Sequence, residues 1–597
     1  MRVLLILPLL VFCLISQAQE NPNPLPKHLS QEEIKILKEN GYQAPGTVMR
    51  SITNPPNSPV RTIGEWEELE AIVVTWDAYF GTLREIVRYA KDELEVINVC
   101  QDSNSLKSYL SASGIDMENL TFIEAPFNTV WVRDYGPNPV YTNDVDSLVL
   151  IDWIYNRPRP ADDVIPGIIG EYLGVPVYCT TQAPYDMVHT GGNFMSDGLG
   201  AGFSSRLILE ENDASNQFGI SNHSEEDIEN IINLFMGIDI YPKMEALPYD
   251  GINHIDMHMK MLDEQTILIG EFPLGVSDGP QIEENIQYLL DNFKTYWGTD
   301  FKIERILQPP CGNGSYPPNC QSGSEYRTYT NALIVNKTIL VPIYNTALDQ
   351  IALQRWQELK PGYKIVGIDC RQIINAGGAV HCITKEIGSK NPLWISHREL
   401  DDVIEEDNIA DYQIEALIKH RDGIESATVF WSLNPDDGYN AIEMELESAE
   451  SNLWRASIPQ QIAGGRLFYY IEAFANSGKS INRPLAAPEA YFDFEIEALN
   501  TSTSDQNLSL EMDSKMYPNP VVDHTVLELH AIIAGDISID LTSSTGQKIN
   551  RVFEGKIQEG KNYIYLEFNN LPETNYFLNI QHSNYQNNHL IQFSKVK

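Results

Sequence analysis

Ala71-Ile72-Val73-Val74-Thr75-Trp76, then Thr82–Leu94, then Val96-Ile97-Asn98-Val99-Cys100 decide the fold class. The first is an apolar run rich in β-branched residues and reads as a strand buried on both faces. The second spaces its apolar residues as an amphipathic helix does, and the third returns to a strand pattern. Strand, helix and strand in such close succession argue an α/β region.

The alternation continues outward, from about Arg61 to Ile395. Leu120–Glu124 and Leu148–Tyr155 read as further strands. Ser224–Met236, Ile282–Trp297 and Ala347–Leu359 read as helices, the first opened by a Ser-Glu-Glu-Asp capping pattern. Ala332–Val335 and Thr338–Val341 form a hairpin with the polar pair Asn336-Lys337 at its turn. Several similar small units are expected, although no repeat sets a period. Residues 396–498 change texture. Alternating strands such as Ala427–Trp431, Ala441–Leu446 and Arg466–Ile471 predict a compact β-sandwich. Residues 499–507 are a Ser/Thr/Asn/Asp linker. Residues 508–597 form a third module, with Tyr517-Pro518-Asn519-Pro520 ahead of strands at Thr525–Leu529, Ile537–Leu541, Tyr563–Phe568 and Tyr576–Gln581.

Composition bounds the rest. A chain of 597 residues with 43% hydrophobic content holds about two to four domains with real cores. Its formal net charge of −42 argues against nucleic acid or an anionic membrane as partner and favours cationic ligands. Met1-Arg2, the short apolar run Val3–Ile15 and Ser16-Gln17-Ala18 read as a signal peptide over residues 1–19. No later stretch is apolar for long enough to span a bilayer. Residues 20–60 read as a polar lead-in with a short helix at Gln31–Lys38. Of the seven cysteines, discarding Cys13 with the leader leaves six, too few for a disulfide scaffold. Cys311 and Cys320 bracket a loop that a disulfide could close in an exported protein, and nothing shows zinc-ligand spacing.

The chemistry gathers around Gly377-Gly378-Ala379-Val380-His381-Cys382-Ile383-Thr384, which presents a thiol at the end of a small-residue run, as at a strand end. Alone, Cys382 would read as a small buried apolar residue. Its company is Trp131-Val132-Arg133-Asp134, His254-Ile255-Asp256 and Thr328-Tyr329-Thr330-Asn331. Two carboxylates suit a planar, permanently charged guanidinium, and Asp134 and Asp256 are the candidates. Taken singly, Asp134 is equally a turn residue or the partner of Arg133. His254 and Asp256, two apart, share one face if the segment is a strand; His258 then lies on that face too, as a packing or supporting residue. A thiolate at Cys382 would attack the guanidinium carbon, with His254 as acid and base and the Asn331 amide positioning the sulfur. Arg157 and Arg159, stiffened by Pro158 and Pro160, either clamp a carboxylate or pair with surface acids.

In their order and wording these motifs resemble the bacterial peptidylarginine deiminases, in the agmatine-deiminase-like branch of the guanidino-modifying superfamily. The resemblance covers roughly residues 60–390. It implies an α/β fold in the form of a five-bladed α/β-propeller catalytic domain (61–395), followed by an immunoglobulin-like β-sandwich. It implies hydrolysis of peptidyl arginine, preferably C-terminal, to citrulline and ammonia through a thiouronium on Cys382. His254 is then the acid/base, Asp134 and Asp256 hold the guanidinium, Asn331 assists, Trp131 packs on the substrate, and Arg157 and Arg159 hold its C-terminal carboxylate. No metal is needed, although a structural calcium or sodium ion is compatible. The last module resembles a small C-terminal β-sandwich sorting domain read by the type IX secretion system, which implies release or attachment at the outer-membrane surface. A deiminase of agmatine or free arginine, or a surface binding module with a decayed catalytic domain, are the alternatives.

Overall fold

The computed structural model describes residues 20–40, 52–323, 325–403, 408, 410–448, 451–498, 513–568, 571–583 and 588–596. The expected signal peptide (1–19) and linker (499–507) lie outside the described residues. Among those described, no helix is long and apolar enough to cross a membrane.

Between Val60 and Gly388 the described chain forms five small mixed sheets. Each contains the same unit: a short strand, a longer strand antiparallel to it, a helix, and a third strand parallel to the second. Met259–Met261, Thr266–Glu271, helix Gly279–Asn292 and Lys302–Leu307 make one such unit. Leu333–Val335, Thr338–Ile343, helix Asp349–Leu359 and Lys364–Asp369 make another. Asn138–Thr142, Ser147–Tyr155, helix Ile165–Leu173 and Val177–Thr180 make a third. Met195–Ser196, Gly202–Ser205 and Lys243–Met244 follow the same order around helices Leu207–Asn212 and Glu225–Met236. In the remaining unit the short strand comes from the far end of the region. Lys385–Gly388 pairs with Leu69–Thr75, which continues through helix Phe80–Ala90 into Glu95–Cys100 and Leu120–Glu124. The region therefore closes on itself.

The units share a geometry while their sequences diverge, because each slot needs only an apolar strand or an amphipathic helix. The capping pattern is as read: Ser224 and Asp227 bond reciprocally at the start of Glu225–Met236. The Asn336-Lys337 hairpin also forms. Asn336 takes the left-handed backbone that its turn requires (φ 49°). Its amide reaches across to Leu69, accepting from the nitrogen at 2.8 Å and donating to the oxygen at 3.1 Å. One unit is thereby fastened to the next. Cys311 and Cys320 form a disulfide, Cα atoms 5.6 Å apart.

Beyond Gly388, strands from Trp394 to Ile496 form two sheets around a core that includes Ile414, Val429, Leu467 and Ile471. Strand Trp394–His397 already belongs to this layer, pairing with Tyr412–Lys419. The layer is keyed to the first region by charge. Arg483 is buried, bonds the carboxylate of Glu264, and lies over the Trp66 ring at 3.8 Å. Glu264 also accepts from His397 N at 2.6 Å and Ser396 Oγ at 3.0 Å. Strands from Asp513 to Ser594 make two further sheets around Leu527, Ile539, Ile564 and Leu578.

Asn336→Ala should lower the thermal transition of the first region by the equivalent of about 2–3 kcal/mol, since it strains the turn and orphans the Leu69 backbone. Asn336→Gly, which relieves the strain only, should recover about 1 kcal/mol of that in calorimetry.

Candidate active site

Each of the five units carries a short loop, helix or single 3-10 turn just ahead of its first strand, and these five segments meet. They are Val132–Tyr135, Gly191–Asn193, Ile255–Met257, the Thr330-Asn331 approach to Leu333, and His381–Ile383. Two of the sequence expectations change here. His254 and Asp256 do not alternate on a strand, because Ile255–Met257 is a 3-10 turn with His254 at its N-cap. Cys382 is likewise within a 3-10 turn, ahead of strand Lys385–Gly388 rather than at a strand end. Both segments must bend inward to reach the common point, and a strand cannot make that bend.

The expected catalytic residues converge. Cys382 Sγ lies 3.2 Å from Asn331 Nδ2 and 3.5 Å from Asp256 Oδ2. Asn331 Oδ1 also accepts from the His381 nitrogen at 3.1 Å, which pins the turn that carries the thiol. Asp134 Oδ1 lies 3.5 Å from His254 Nδ1. All five side chains are buried. Two glycines make room. A Cβ on Gly192 would stand 2.5 Å from His254 Nδ1 and 2.8 Å from Asp134 Oδ1. One on Gly378 would stand 2.9 Å from Cys382 Sγ and 2.7 Å from the Trp131 ring, so indole and thiol flank the same gap. His258 is buried near this point, and neither of its ring nitrogens has a hydrogen-bond partner among the described residues.

At the centre stands a residue that the sequence reading left in the lead-in. Lys27, fully buried, places its ammonium 2.9 Å from Cys382 Sγ, 3.7 Å from Asp134 Oδ1 and 3.9 Å from Asp256 Oδ1. Residues 20–40 are thus not a detached lead-in but a strap laid on the site, ending in the expected helix, here Gln31–Asn40. Arg157 and Arg159, just past strand Ser147–Tyr155, face this strap. Arg157 Nε donates to the Lys27 carbonyl at 3.0 Å, and Arg159 holds Glu33 at 2.7 Å and the Pro26 carbonyl at 2.6 Å. Trp131 Nε1 donates to the Leu25 carbonyl at 3.0 Å.

A second layer also escaped the sequence reading. His381 bridges Asp256 (Nδ1, 2.9 Å) and Glu65 (Nε2, 3.0 Å). Glu65 in turn bonds Lys260, and Arg133 pairs with Glu386 at 2.5 Å. His381 was legible as the neighbour of the thiol; Lys27 and Glu65 carried no local signal.

These charges set the ionisation. Burial pushes the Cys382 thiol up to about 12, the carboxylates of Asp256 and Asp134 add to this, and Lys27 works against it. For Asp256 burial opposes ionisation, yet Lys27 and His381 outweigh it and hold the carboxyl below its usual range. Burial raises the Asp134 carboxyl above its usual value, with Lys27 counteracting. Burial, then Lys27, lowers His254 well below an ordinary imidazole, so it stands neutral at physiological pH. Burial lowers His258 to about 4, with Asp256 acting against it. The arrangement can therefore bind one cation between two carboxylates, beside a thiol and a neutral imidazole.

Residues 61–387 match the family described as Porphyromonas-type peptidyl-arginine deiminase, and residues 515–592 match a secretion system C-terminal sorting domain. A Vibrio parahaemolyticus protein provisionally named an agmatine deiminase is 27% identical over 296 residues, 45% of this chain and 78% of that protein. A Streptococcus mutans protein with the same provisional name is 25% identical over 374 residues, 56% of this chain and 97% of that protein. A solved structure of another such protein shares the fold at 23% identity and TM-score 0.50, covering 57% of this chain and 99% of that one. The agmatine deiminase of Enterococcus faecalis aligns at 21% identity and TM-score 0.49, with the same coverage.

Because burial and two carboxylates disfavour the thiolate, alkylation of Cys382 by a neutral electrophile should still be accelerating at about pH 10, past the ordinary thiol pKa of about 8.5. Asp256→Asn should move that profile toward lower pH, as followed by mass spectrometry of the labelled peptide.

Proposed function

Because this chain belongs to the Porphyromonas-type peptidyl-arginine deiminase family, and is thus a hydrolase of guanidino C–N bonds, we propose that it converts arginine at the C-terminus of peptides to citrulline and ammonia. The observation that carries this reading is the cation seat between Asp134 and Asp256, with Cys382 Sγ 2.9 Å from the charge that occupies it. On the same reading the five small sheets are the blades of an α/β-propeller with its site on the axis, and the layer behind it is immunoglobulin-like.

In the proposed mechanism the two aspartates hold the guanidinium nitrogens, and Trp131 walls the pocket. Cys382 sulfur forms a bond to the guanidinium carbon while its proton passes to neutral His254. The tetrahedral adduct collapses when His254 returns that proton to the leaving nitrogen, so the carbon–nitrogen bond breaks and ammonia departs. A thiouronium remains on Cys382. Water then attacks the same carbon, its proton taken by His254, and the carbon–sulfur bond breaks to release citrulline and restore the thiol. Asn331 keeps the sulfur aimed throughout. The Lys27 ammonium already pulls the Cys382 thiol down against its burial, and a guanidinium bound in the same seat would act in the same direction.

The relatives named as agmatine deiminases raise a second reading, a small-molecule deiminase. Arg157 and Arg159, which hold the Lys27 carbonyl and Glu33 beside the cation seat, favour the peptide, because a substrate carboxylate could take those places and agmatine has none. The sorting domain directs the enzyme through the type IX secretion machinery to the outer-membrane surface or the medium.

Ammonia release should be greatest with an arginine-terminated dipeptide and lower with its C-terminal amide and with agmatine. Cys382→Ala should abolish turnover by about a thousandfold or more. In a Lys27→Ala background, where the strap no longer fills the cation seat, Arg159→Ala should raise KM about tenfold with kcat little changed, the loss of one charge-assisted contact. Equal kcat/KM for free and amidated peptides would remove the carboxylate clamp and leave the deiminase; agmatine as the preferred substrate would turn the reading to the small-molecule enzyme.

A further inference from the structure

Burying a lysine inside a catalytic centre is costly unless its charge is matched, and an inert leader has no reason to do it. Lys27 is held by more than its ammonium. Its backbone nitrogen donates to the Ala376 carbonyl at 2.8 Å, and its carbonyl accepts from Arg157. Glu33 brings a carboxylate to Arg159. The strap is also tied upstream, where Asn21 N donates to the Asp77 carbonyl at 2.8 Å and Glu20 accepts from the nitrogen of Phe80 at 2.6 Å.

The side-chain arithmetic is direct. Lysine Nζ and arginine Cζ lie the same number of bonds from Cα. Lys27 Nζ therefore occupies the place of the carbon that a thiolate would attack, at 2.9 Å from Sγ, close to the roughly 3–3.5 Å expected of a reactant pair. An ammonium offers no electrophilic carbon there, so the chemistry stops. The fit is also incomplete: among the described residues Asp134 Oδ1 and Asp256 Oδ1 form no hydrogen bond, because a point charge cannot reach both as a guanidinium fork does. A true substrate would satisfy acceptors that Lys27 leaves open.

We propose that residues 20–40 are a built-in pseudosubstrate, Lys27 standing for the arginine side chain and Glu33 with the Lys27 carbonyl standing for its C-terminal carboxylate, so that the exported enzyme is restrained until the strap is displaced or cut. This rests on the deiminase reading above and assigns that site its regulation. A tethered competitor acts at an effective concentration of about millimolar, which lowers the apparent affinity for free peptide by the fraction of time the site stands open.

The test uses the full chain and its variants. Lys27→Ala should lower KM for an arginine-terminated dipeptide about tenfold or more and accelerate alkylation of Cys382 by iodoacetamide severalfold once each rate is referred to the thiolate present, read from that protein's own pH profile, since loss of the ammonium by itself raises the thiol. Glu33→Gln, which loosens the strap at Arg159 and leaves the cation seat intact, should move both in the same direction. Lys27→Arg should make the strap its own substrate: the substituted position becomes citrulline with release of one equivalent of ammonia, at a rate independent of protein concentration. Unchanged KM and alkylation rates in Lys27→Ala and Glu33→Gln would overturn the inference, as would an arginine at that position that persists while the same protein turns over added dipeptide. If no variant releases ammonia from any guanidino compound, the deiminase reading fails instead, and the alkylation rates still decide whether the strap covers the thiol.

Discussion

Asp134 and Asp256 are both buried and aimed at one point, a disposition that is unfavourable unless a cation stands between them. Much of the first region can be understood as the means of holding that disposition in place. The two carboxylates come from different units, the thiol from a third and the amide from a fourth; the fifth contributes Gly192, whose missing side chain leaves the space in which they meet. Positions so distant in the chain agree because each sits in the same slot, immediately ahead of the first strand of its unit.

Around this point the charges alternate in depth. Asp256 is tied through His381 to Glu65, Glu65 to Lys260, and Arg133 to Glu386. Breaking one member of such a network would leave a buried charge without compensation, a loss of about 3–5 kcal/mol. The network gives little net stability over an apolar packing, but it fixes the orientation of the carboxylate that contacts the sulfur.

Most of the architecture was legible because its elements are long and periodic. The strand Leu120–Glu124, the capped helix at Ser224 and the hairpin at Asn336 lie where their residues place them. The fivefold recurrence was not visible, since each slot constrains apolar pattern and not identity. The 3-10 turns at His254 and Cys382 were read as extended, because a single turn has no periodicity to detect. Five catalytic candidates meet because each stood in a distinctive motif. Lys27 was passed over for the opposite reason: a lone lysine among Pro24, Leu25, Pro26 and His28 has meaning only through atoms hundreds of residues away.

The pairing of Arg483 with Glu264 gives the second layer a standing that its position after the catalytic region would not suggest. A guanidinium from the sandwich is inserted into the wall of the deiminase and neutralises an acid there, while its flat face covers an indole. Detached from its sandwich, the body of five small sheets would expose that indole and keep the acid without its counter-ion. The deiminase of this protein is therefore not a portable cassette. The smallest part that retains its own electrostatic balance runs through the sandwich, and the chain has in effect made its second domain a side wall of the first.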